Sequence, residues 1–421
     1  MTDTPHQKQH ADIQALLKAA DQCVMCGMCL PACPTYQLRL NEAESPRGRI
    51  SLIQALLRHK LELDATLSQH LDTCLTCRAC EAICPSGVQY GRLIDGARIM
   101  QREAGKKPDW RMEKLLETTA TPEKLRSAGK MLRLAQLSGA DKLLRAGLSL
   151  AGKEDLWREV VPTKLPAYQP WQERYPAQGE KQGTVALFTG CIADLVDQQT
   201  LRDTITLLTR CGYEVSIPQA QTCCGALHTH AGDIERGRHL ARQNLAAFDS
   251  NAVDAIVFAA TGCGAHLIDY GRFQQDDARA GAFAAKTMDA LSFLQKHGAG
   301  KLTFKPLPKR IAVHTPCTQR NVLKQAKLPF ALLGNIPAAE LIALPGNEVC
   351  CGAAGSYMLE HPQNAGALRE KKLQALAEVR PDILVTSNIG CSLHLQAGLK
   401  QQGIELEIIH PLSLLARQLS S

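Results

Sequence analysis

The sequence predicts a protein of the α plus α/β class, with an α-helical domain at the N-terminus followed by two copies of an α/β domain. Three observations support this prediction. The 421 residues suffice for two or three domains of about 150 residues each. The seventeen cysteines form groups instead of being scattered. Short apolar runs that end close to cysteines recur in the second half of the chain.

Composition excludes several classes of protein. Residues 1–10 lack the basic and then apolar stretch of a secretory signal, and no apolar run approaches the ~20 residues of a membrane span. We therefore expect a cytoplasmic protein whose thiols are reduced and bind metal. No Cys-x-x-Cys pair is followed by histidine, which excludes c-type haem.

Two cysteine runs mark the predicted N-terminal domain, residues 1–107. The run Cys23-x2-Cys26-x2-Cys29-x3-Cys33-Pro34 recurs 51 residues later as Cys74-x2-Cys77-x2-Cys80-x3-Cys84-Pro85. This pattern resembles the ligand run of two-cluster ferredoxins, in which the fourth cysteine of each run binds the other cluster. The resemblance implies two [4Fe-4S] clusters, one held by Cys23, Cys26, Cys29 and Cys84 and the other by Cys74, Cys77, Cys80 and Cys33. A pair of structural zinc sites is the alternative, but zinc has no use for the third cysteine of each run.

Helical patterns surround these runs. A Ser45-Pro46 pair precedes apolar residues at helical spacing, and two further stripes flank the second run: Ile50, Ile53, Leu56 and Leu57; Leu67 and Leu71; Tyr90, Leu93, Ala97 and Met100. We therefore expect an α-helical two-cluster ferredoxin domain. Arg47 and Arg49 either steady a cluster's negative charge or contact a partner subunit, or else belong to a solvated helix start.

The net charge gives little support to a nucleic-acid partner. The formal charge is +7, but two oxidised four-iron clusters of about −2 each lower it to about +3, and four lower it to about −1. Aromatic residues make up only 4% of the chain and are not interleaved with basic ones. The basic excess is therefore interpreted as compensation for cluster charge.

Residues 108–180 are predicted to form a helical connector and a stiff, proline-rich linker. Amphipathic patterns at 131–134 and 143–148 are followed by Pro162, Pro166, Pro170 and Pro176. Basic residues beside the leucines leave peripheral contact with a membrane surface open: Lys130, Arg133, Lys142 and Arg145. Packing against the neighbouring domain is the favoured alternative.

The remaining cysteines reveal an internal repeat, residues 181–305 and 306–421. Two quartets are related by offsets of 126 to 128 residues: Cys191, Cys223, Cys224 and Cys263; Cys317, Cys350, Cys351 and Cys391. Each quartet is expected to hold an iron-sulfur cluster in preference to zinc, because adjacent thiolates suit two irons better than one tetrahedral ion. Cys211 is left over and is predicted to be a buried apolar thiol.

Short apolar runs place these quartets on a sheet edge. The predicted strands are 185–188, 255–260, 311–314 and 383–386, and a cysteine follows each one. The carboxyl edge of a parallel sheet is where ligands gather. Four histidines lie near the quartets and are candidate ligands or proton donors, with a supporting core role as the alternative: His228, His266, His314 and His394.

Several of these motifs are shared with a known family. The segments Ser45-Pro46-Arg47-Gly48-Arg49-Ile50, Cys350-Cys351-Gly352-x-Ala354-Gly355 and Asn388-Ile389-Gly390-Cys391 resemble the cysteine-rich (CCG) domain family. That family includes the heterodisulfide reductase B subunit, the anaerobic glycerol-3-phosphate dehydrogenase C subunit and the glycolate oxidase iron-sulfur subunit. In the reductase pattern each repeat ends in Cys-x2-Cys, whereas Ala260 and Asn388 replace the first of these cysteines here, which argues against a five-thiolate cluster.

The resemblance implies an electron-transfer subunit of an oxidoreductase. A partner flavin subunit would oxidise a 2-hydroxy acid such as glycolate, and this chain would relay the electrons to a quinone or another carrier. The same relay for D-lactate, D-2-hydroxyglutarate or glycerol 3-phosphate, and a heterodisulfide-reductase-like catalytic subunit, are the alternatives. No Gly-x-Gly-x-x-Gly or Walker motif occurs, so we expect no catalytic residue and no cofactor site beyond the iron-sulfur ligands. The expected location is the cytoplasm, with attachment at the inner face of the membrane left open.

Overall fold

The computed structural model describes residues 5–141, 162, 164–298 and 300–420. Its N-terminal part is helical, as the sequence predicts. Ser45 caps the third helix by accepting a hydrogen bond from the Gly48 N–H, and Asp64 caps the fourth in the same way. The helices are α1 Pro5–Ala20, α2 Pro34–Arg39, α3 Pro46–Leu57, α4 Ala65–Asp72, α5 Ala79–Ile83 and α6 Tyr90–Glu103, with a 3-10 turn at Glu42–Glu44.

The buried guanidinium of Arg49 links the helices of this domain. Its nitrogens donate to the Glu44 carboxylate at 2.7 Å, the Thr73 hydroxyl at 2.9 Å and the His70 carbonyl at 2.7 Å. The side chain of Arg49 is only 1% exposed, so a solvated helix start is the wrong interpretation for this residue. Arg47, by contrast, is 28% exposed and pairs with Glu42 at the surface.

The predicted connector forms two helices, α7 Trp110–Ala120 and α8 Pro122–Ser138. The first half of α8 packs against the first repeat, where Leu125 is buried and Arg126 pairs with Asp194. Its second half is different, since Met131 and Leu134 are 72% and 65% exposed. The predicted helical segment 143–148, with Lys142 and Arg145, lies outside the described residues.

Two parallel sheets with the same strand order form the repeats. The order is β3-β2-β4-β5 in the first repeat and β7-β6-β8-β9 in the second, and every one of these pairs is parallel. The strands are β1 Arg174–Tyr175, β2 Gly183–Phe188, β3 Tyr213–Ser216, β4 Ala255–Phe258, β5 Thr287–Asp289, β6 Arg310–His314, β7 Glu340–Ala343, β8 Ile383–Thr386 and β9 Glu407–Ile409.

Two details differ from the sequence prediction. Strand β4 ends at Phe258 instead of residue 260, because Ala260 caps a helix that begins at Thr261. The predicted linker also contributes a strand, since β1 pairs antiparallel with β3 at the edge of the first sheet. The linker is therefore anchored to the first repeat and is not a free spacer.

Helices cover both faces of each sheet. In the first repeat they are α9 Ile192–Val196, α10 Gln198–Arg210, α11 Ala226–His230, α12 Ile234–Ala247, α13 Thr261–Leu267, α14 Tyr270–Phe273, α15 Arg279–Lys286 and α16 Ala290–His297. In the second they are α17 Leu328–Leu333, α18 Tyr357–Glu360, α19 Pro362–Val379, α20 Ile389–Gln401 and α21 Pro411–Arg417, with a π turn at Thr318–Val322. None of the helices in the described ranges has the length and apolar character needed to cross a membrane.

Successive side chains along each strand point to opposite faces of the sheet, and the two faces enter different cores. One face of both sheets enters a single apolar core that the two repeats share, with Val185 and Val257 from the first and Val313 and Val385 from the second. The opposite faces enter two separate cores, and these contain the cysteines of each repeat. Cys211 lies in the shared core, 1% exposed and away from both quartets, as the sequence predicts.

We predict that Arg49→Met destabilises the protein by roughly 3–5 kcal/mol, because Glu44 would lose its arginine partner in a buried site and keep only His70 and Thr73. Urea unfolding of the protein with its metal centres in place, followed by circular dichroism, measures this loss. Arg47→Met is the matched control on the same helix and should leave the unfolding midpoint almost unchanged. Equal effects of the two substitutions would contradict the role assigned to Arg49.

Candidate metal centres

The first predicted centre lies at the surface of the helical domain. One cavity has all four of its predicted ligands in the wall, namely Cys23, Cys26, Cys29 and Cys84, together with Cys80 of the second predicted centre. Cys26 is the one exposed cysteine of the chain, and Val24, Met25 and Met28 around it are 68%, 45% and 51% exposed. Cys84 thus lies with the first run, although it belongs to the second run in sequence.

The second predicted centre is buried. Its four predicted ligands are all buried, with 7% to 9% of their surface exposed: Cys33, Cys74, Cys77 and Cys80. Cys33 lies 3.3 Å from the Thr35 hydroxyl, and Tyr90 donates a hydrogen bond to the Cys74 sulfur at 3.7 Å. Burial raises the pKa of Cys77 and of Cys80 well above the usual range of a thiol. This is the grouping that crossed ligation requires, while the ligation itself stays a prediction.

The first repeat brings its four cysteines together beyond the strand ends. Cys191 follows β2, Cys263 lies in the helix after β4, and the Cys223-Cys224-Gly225 turn approaches from a neighbouring loop. Cys191 donates to Cys223 with 3.5 Å between the sulfurs, which holds the pKa of Cys223 well below its usual range. Gly225 has φ +88°, and a Cβ there would lie 3.0 Å from the Gly237 carbonyl, so the turn depends on glycine.

The second repeat has the same plan with different surroundings. Cys317 donates to Cys350 with 3.8 Å between the sulfurs, and this bond, with burial, raises the pKa of Cys317 well above its usual range. Gly352 has φ +96° and its N–H donates to the Cys350 sulfur at 3.5 Å. Cys351 and Cys391 lie near the ring of His314, with one donor atom of each within 4.8 Å of the others.

The donor sets fit transition metals. A metal ion at about 2.3 Å from each sulfur in tetrahedral geometry separates those sulfurs by about 3.8 Å. The separations of 3.5 Å and 3.8 Å in the two repeats are close to this value. Thiols packed at this distance in an apolar interior are unfavourable when ionised without a counter-charge, which a bound metal supplies.

The four candidate histidines have different roles. Both ring nitrogens of His228 are engaged, by Asp233 and by the Leu116 carbonyl, so this residue supports the fold and is not available as a ligand. His394 interacts with the Ala365 carbonyl through Nε2. His266 has a buried Nε2 that lacks a hydrogen-bond partner in the described part of the chain, and burial lowers its pKa to about 4.

Sequence reasoning missed two groups beside the centres. The Tyr90 hydroxyl was counted only as part of a helical stripe, yet it contacts a predicted ligand. Lys372 was not considered, yet it is 2% exposed in the core that contains Cys350 and Cys351, and burial lowers its pKa. Comparison of the repeats could have revealed Lys372, because the equivalent residue of the first repeat is the uncharged Asn244.

We predict that Cys33→Ser damages the centre of Cys74, Cys77 and Cys80 and largely spares the centre of Cys23. The iron content shows how much of the clusters is lost, and paramagnetic resonance of the reduced protein distinguishes the two centres. Cys211→Ser removes a thiol outside all the predicted centres and serves as the control. Loss of the Cys23 centre alone would rule out crossed ligation.

We also predict that protein purified without oxygen holds clearly more than about eight irons per chain, the content of two four-iron clusters. The excess should fall in variants that lack Cys224 or Cys351, because each removes a central thiol of one quartet. Eight irons or fewer without zinc would mean that the quartets are thiols without metal. Zinc in place of the additional iron would contradict the preference for clusters.

Comparison with known proteins agrees with this arrangement. The family described as a 4Fe-4S dicluster domain matches residues 19–88, and the cysteine-rich domain family matches residues 185–268 and 311–396. The "Lactate utilization protein A" of Geobacillus sp. (strain WCH70) is 29% identical over 54% of this chain and 96% of its own length.

Two relatives match nearly the whole chain. The "Probable glycolate oxidase iron-sulfur subunit" of Bacillus subtilis (strain 168) is 34% identical over 93% of this chain and 92% of its own length. The "Glycolate oxidase iron-sulfur subunit" of Escherichia coli (strain K12) is 33% identical over 94% of both chains. With the two ferredoxin-type runs and both cysteine-rich repeats in the same order, this chain belongs to the family of glycolate oxidase iron-sulfur subunits.

Proposed function

We propose that this chain is the electron-transfer subunit of a flavin-dependent 2-hydroxy-acid dehydrogenase with glycolate as the substrate. A partner flavin subunit oxidises the acid, and this chain passes the electrons to a quinone or another carrier. The observation that supports the proposal is the proximity of the three groups of cysteines to one another. Cys26 and Cys80 line one cavity, and Cys77 belongs to the same apolar core as Cys350 of the second repeat.

The group around Cys26 suits contact with another protein. Cys26 is exposed, and the apolar side chains of Val24, Met25 and Met28 surround it. The nearby charges are largely neutralised in pairs, since Arg47 binds Glu42 and Arg78 binds Glu81. Small apolar surfaces around a redox centre are typical of transient electron-transfer contacts.

The group around Cys77 joins the helical domain to the second repeat. The Cys77 carbonyl accepts a hydrogen bond from Asn321 at 2.8 Å. Leu75 and Cys77 belong to the same apolar core as Cys350, Cys351 and Cys391. Burial raises the pKa of the Cys77 thiol, and the charge of Cys317 in the second repeat raises it further. This contact joins the second predicted centre to the second repeat through buried residues.

Side chains around the second centre adjust its electrostatics. When bound, iron-sulfur clusters accept and release single electrons, with potentials set by hydrogen bonds to sulfur and by nearby charge. Tyr90 donates to the Cys74 sulfur, and the Thr35 hydroxyl lies between the Cys33 sulfur and the Arg49 guanidinium. These contacts place hydrogen-bond donors and a cation beside the buried centre, whereas the Cys26 centre faces solvent.

A second candidate substrate is D-lactate. It is favoured by the similarity to lactate utilization protein A, whose whole length corresponds to about half of this chain. The residues proposed for electron transfer would be the same for both acids, because substrate would bind to the partner subunit. Only the partner therefore distinguishes the two candidates.

We predict that the isolated chain does not oxidise glycolate or D-lactate with an artificial dye, and that its centres become reduced when the partner flavoprotein and its substrate are both present. Cys77→Ser should stop the passage of electrons to the second repeat while the partner's flavin is still reduced. Absorbance of the flavin and paramagnetic resonance of the clusters measure the two events separately.

Cys211→Ser is the matched control, since this thiol is also buried but lies in the shared core of the repeats. It should leave both readouts unchanged. Turnover of a 2-hydroxy acid by the isolated chain, or rapid reduction of a small disulfide, would overturn the proposal in favour of a catalytic subunit.

A further inference from the structure

His314 occupies a position in the second repeat that differs from every other histidine of the described chain. It is the last residue of β6, is 2% exposed, and lies with Cys351 and Cys391 in a group whose donor atoms are within 4.8 Å of one another. The group consists of two sulfurs and one imidazole nitrogen. Sulfur and imidazole are the donors that iron and zinc share in proteins.

The hydrogen bonding of His314 leaves one nitrogen for a metal. Nδ1 lies 2.8 Å from the Thr386 hydroxyl, and within the described residues Nε2 has no hydrogen bond. A histidine that binds a metal through one nitrogen usually donates the other N–H to an oxygen, which fixes the ring and its tautomer. Thr386, at the end of the adjacent strand β8, is placed to accept that N–H.

The first repeat lacks this arrangement. The residues equivalent to His314 and Thr386 are Phe188 and Phe258, which belong to its apolar core. Both repeats also lack the first cysteine of the closing Cys-x2-Cys pair, since Ala260 and Asn388 stand there. Among the described residues, the second repeat therefore has a histidine grouped with two of its thiols, whereas no histidine forms such a group with the cysteines of the first repeat.

We propose that Nε2 of His314 is the fifth donor of the metal centre in the second repeat, which makes this centre a mixed thiolate and imidazole site, while the first repeat forms an all-thiolate site. The inference rests on one part of the proposed function, namely that the second repeat binds a transition metal, iron or zinc. It does not depend on the substrate or on the partner subunit.

The charges around the second centre have an electrostatic consequence. The two repeats have four thiols each, and the proposed imidazole donor is neutral, so it adds no negative charge to the second centre. The buried Lys372 adds a positive charge near the same thiols, where the first repeat has the uncharged Asn244. The centre of the second repeat should therefore be the more easily reduced of the two.

The test is a comparison of variants of the full-length chain purified without oxygen. Pulsed paramagnetic resonance of protein labelled with nitrogen-15 histidine detects a nitrogen bound to a paramagnetic iron centre. X-ray absorption at the zinc edge detects the same nitrogen if the metal is zinc. We expect the histidine signal in the unsubstituted chain. His314→Phe should lose both this signal and the metal of the second repeat. Metal in the second repeat with sulfur neighbours only would overturn the proposal.

Two further variants separate ligation from a packing role. His314→Cys supplies a thiolate at the same place and should keep the metal while losing the nitrogen signal. Thr386→Val should keep the metal and the nitrogen signal. It should shift the nitrogen coupling, because it removes the hydrogen-bond partner of His314 Nδ1. Retention of the nitrogen signal in His314→Cys would assign it to another histidine. Absence of any metal from the second repeat of the unsubstituted chain would instead contradict the cofactor prediction.

Discussion

A thiolate in an apolar interior is stable only where a metal, a hydrogen-bond donor or a cation offsets its charge. The chain places most of its cysteines in such an interior, and its architecture follows from that requirement. Gly225 and Gly352 allow the backbone to approach the sulfurs, and the Gly352 N–H donates to one of them. Arg49 and Lys372 are the large cations buried beside these groups. Arg49 is held by oxygen atoms of Glu44, His70 and Thr73, and Lys372 by the Gly346 carbonyl.

Spacing alone predicted much of this architecture. The two ferredoxin-type runs, the offset between the quartets and the placement of cysteines after strands all depend on short-range patterns that a sequence displays directly. The role of Arg49 could not be predicted in this way, because Glu44, His70 and Thr73 reach it only after three helices pack together. The strand at Arg174–Tyr175 was missed for a similar reason, since its pairing with β3 involves residues about 40 positions away.

The sequence shows which residues differ between the two repeats, but it does not show which of these differences change the chemistry of the cysteine sites. Alignment of the quartets places His314 opposite Phe188, and this substitution on a buried strand resembles ordinary variation in a core. The sequence made His314 one of four candidate histidines, and its distances to Cys351 and Cys391 distinguish it from the other three. Polar substitutions at equivalent buried positions of a duplicated domain therefore identify where two copies have taken different chemical roles.

The shared core has a consequence for how the molecule can be divided. Val185, Val257, Val313 and Val385 lie on sheet faces that cover each other, so either repeat produced alone would expose a large apolar surface. Such a fragment would associate with a second copy through the same face, in the manner of a two-fold symmetric dimer, or it would aggregate. The duplicated half thus behaves as a covalently fused dimer, and its cysteine sites depend on both halves being present.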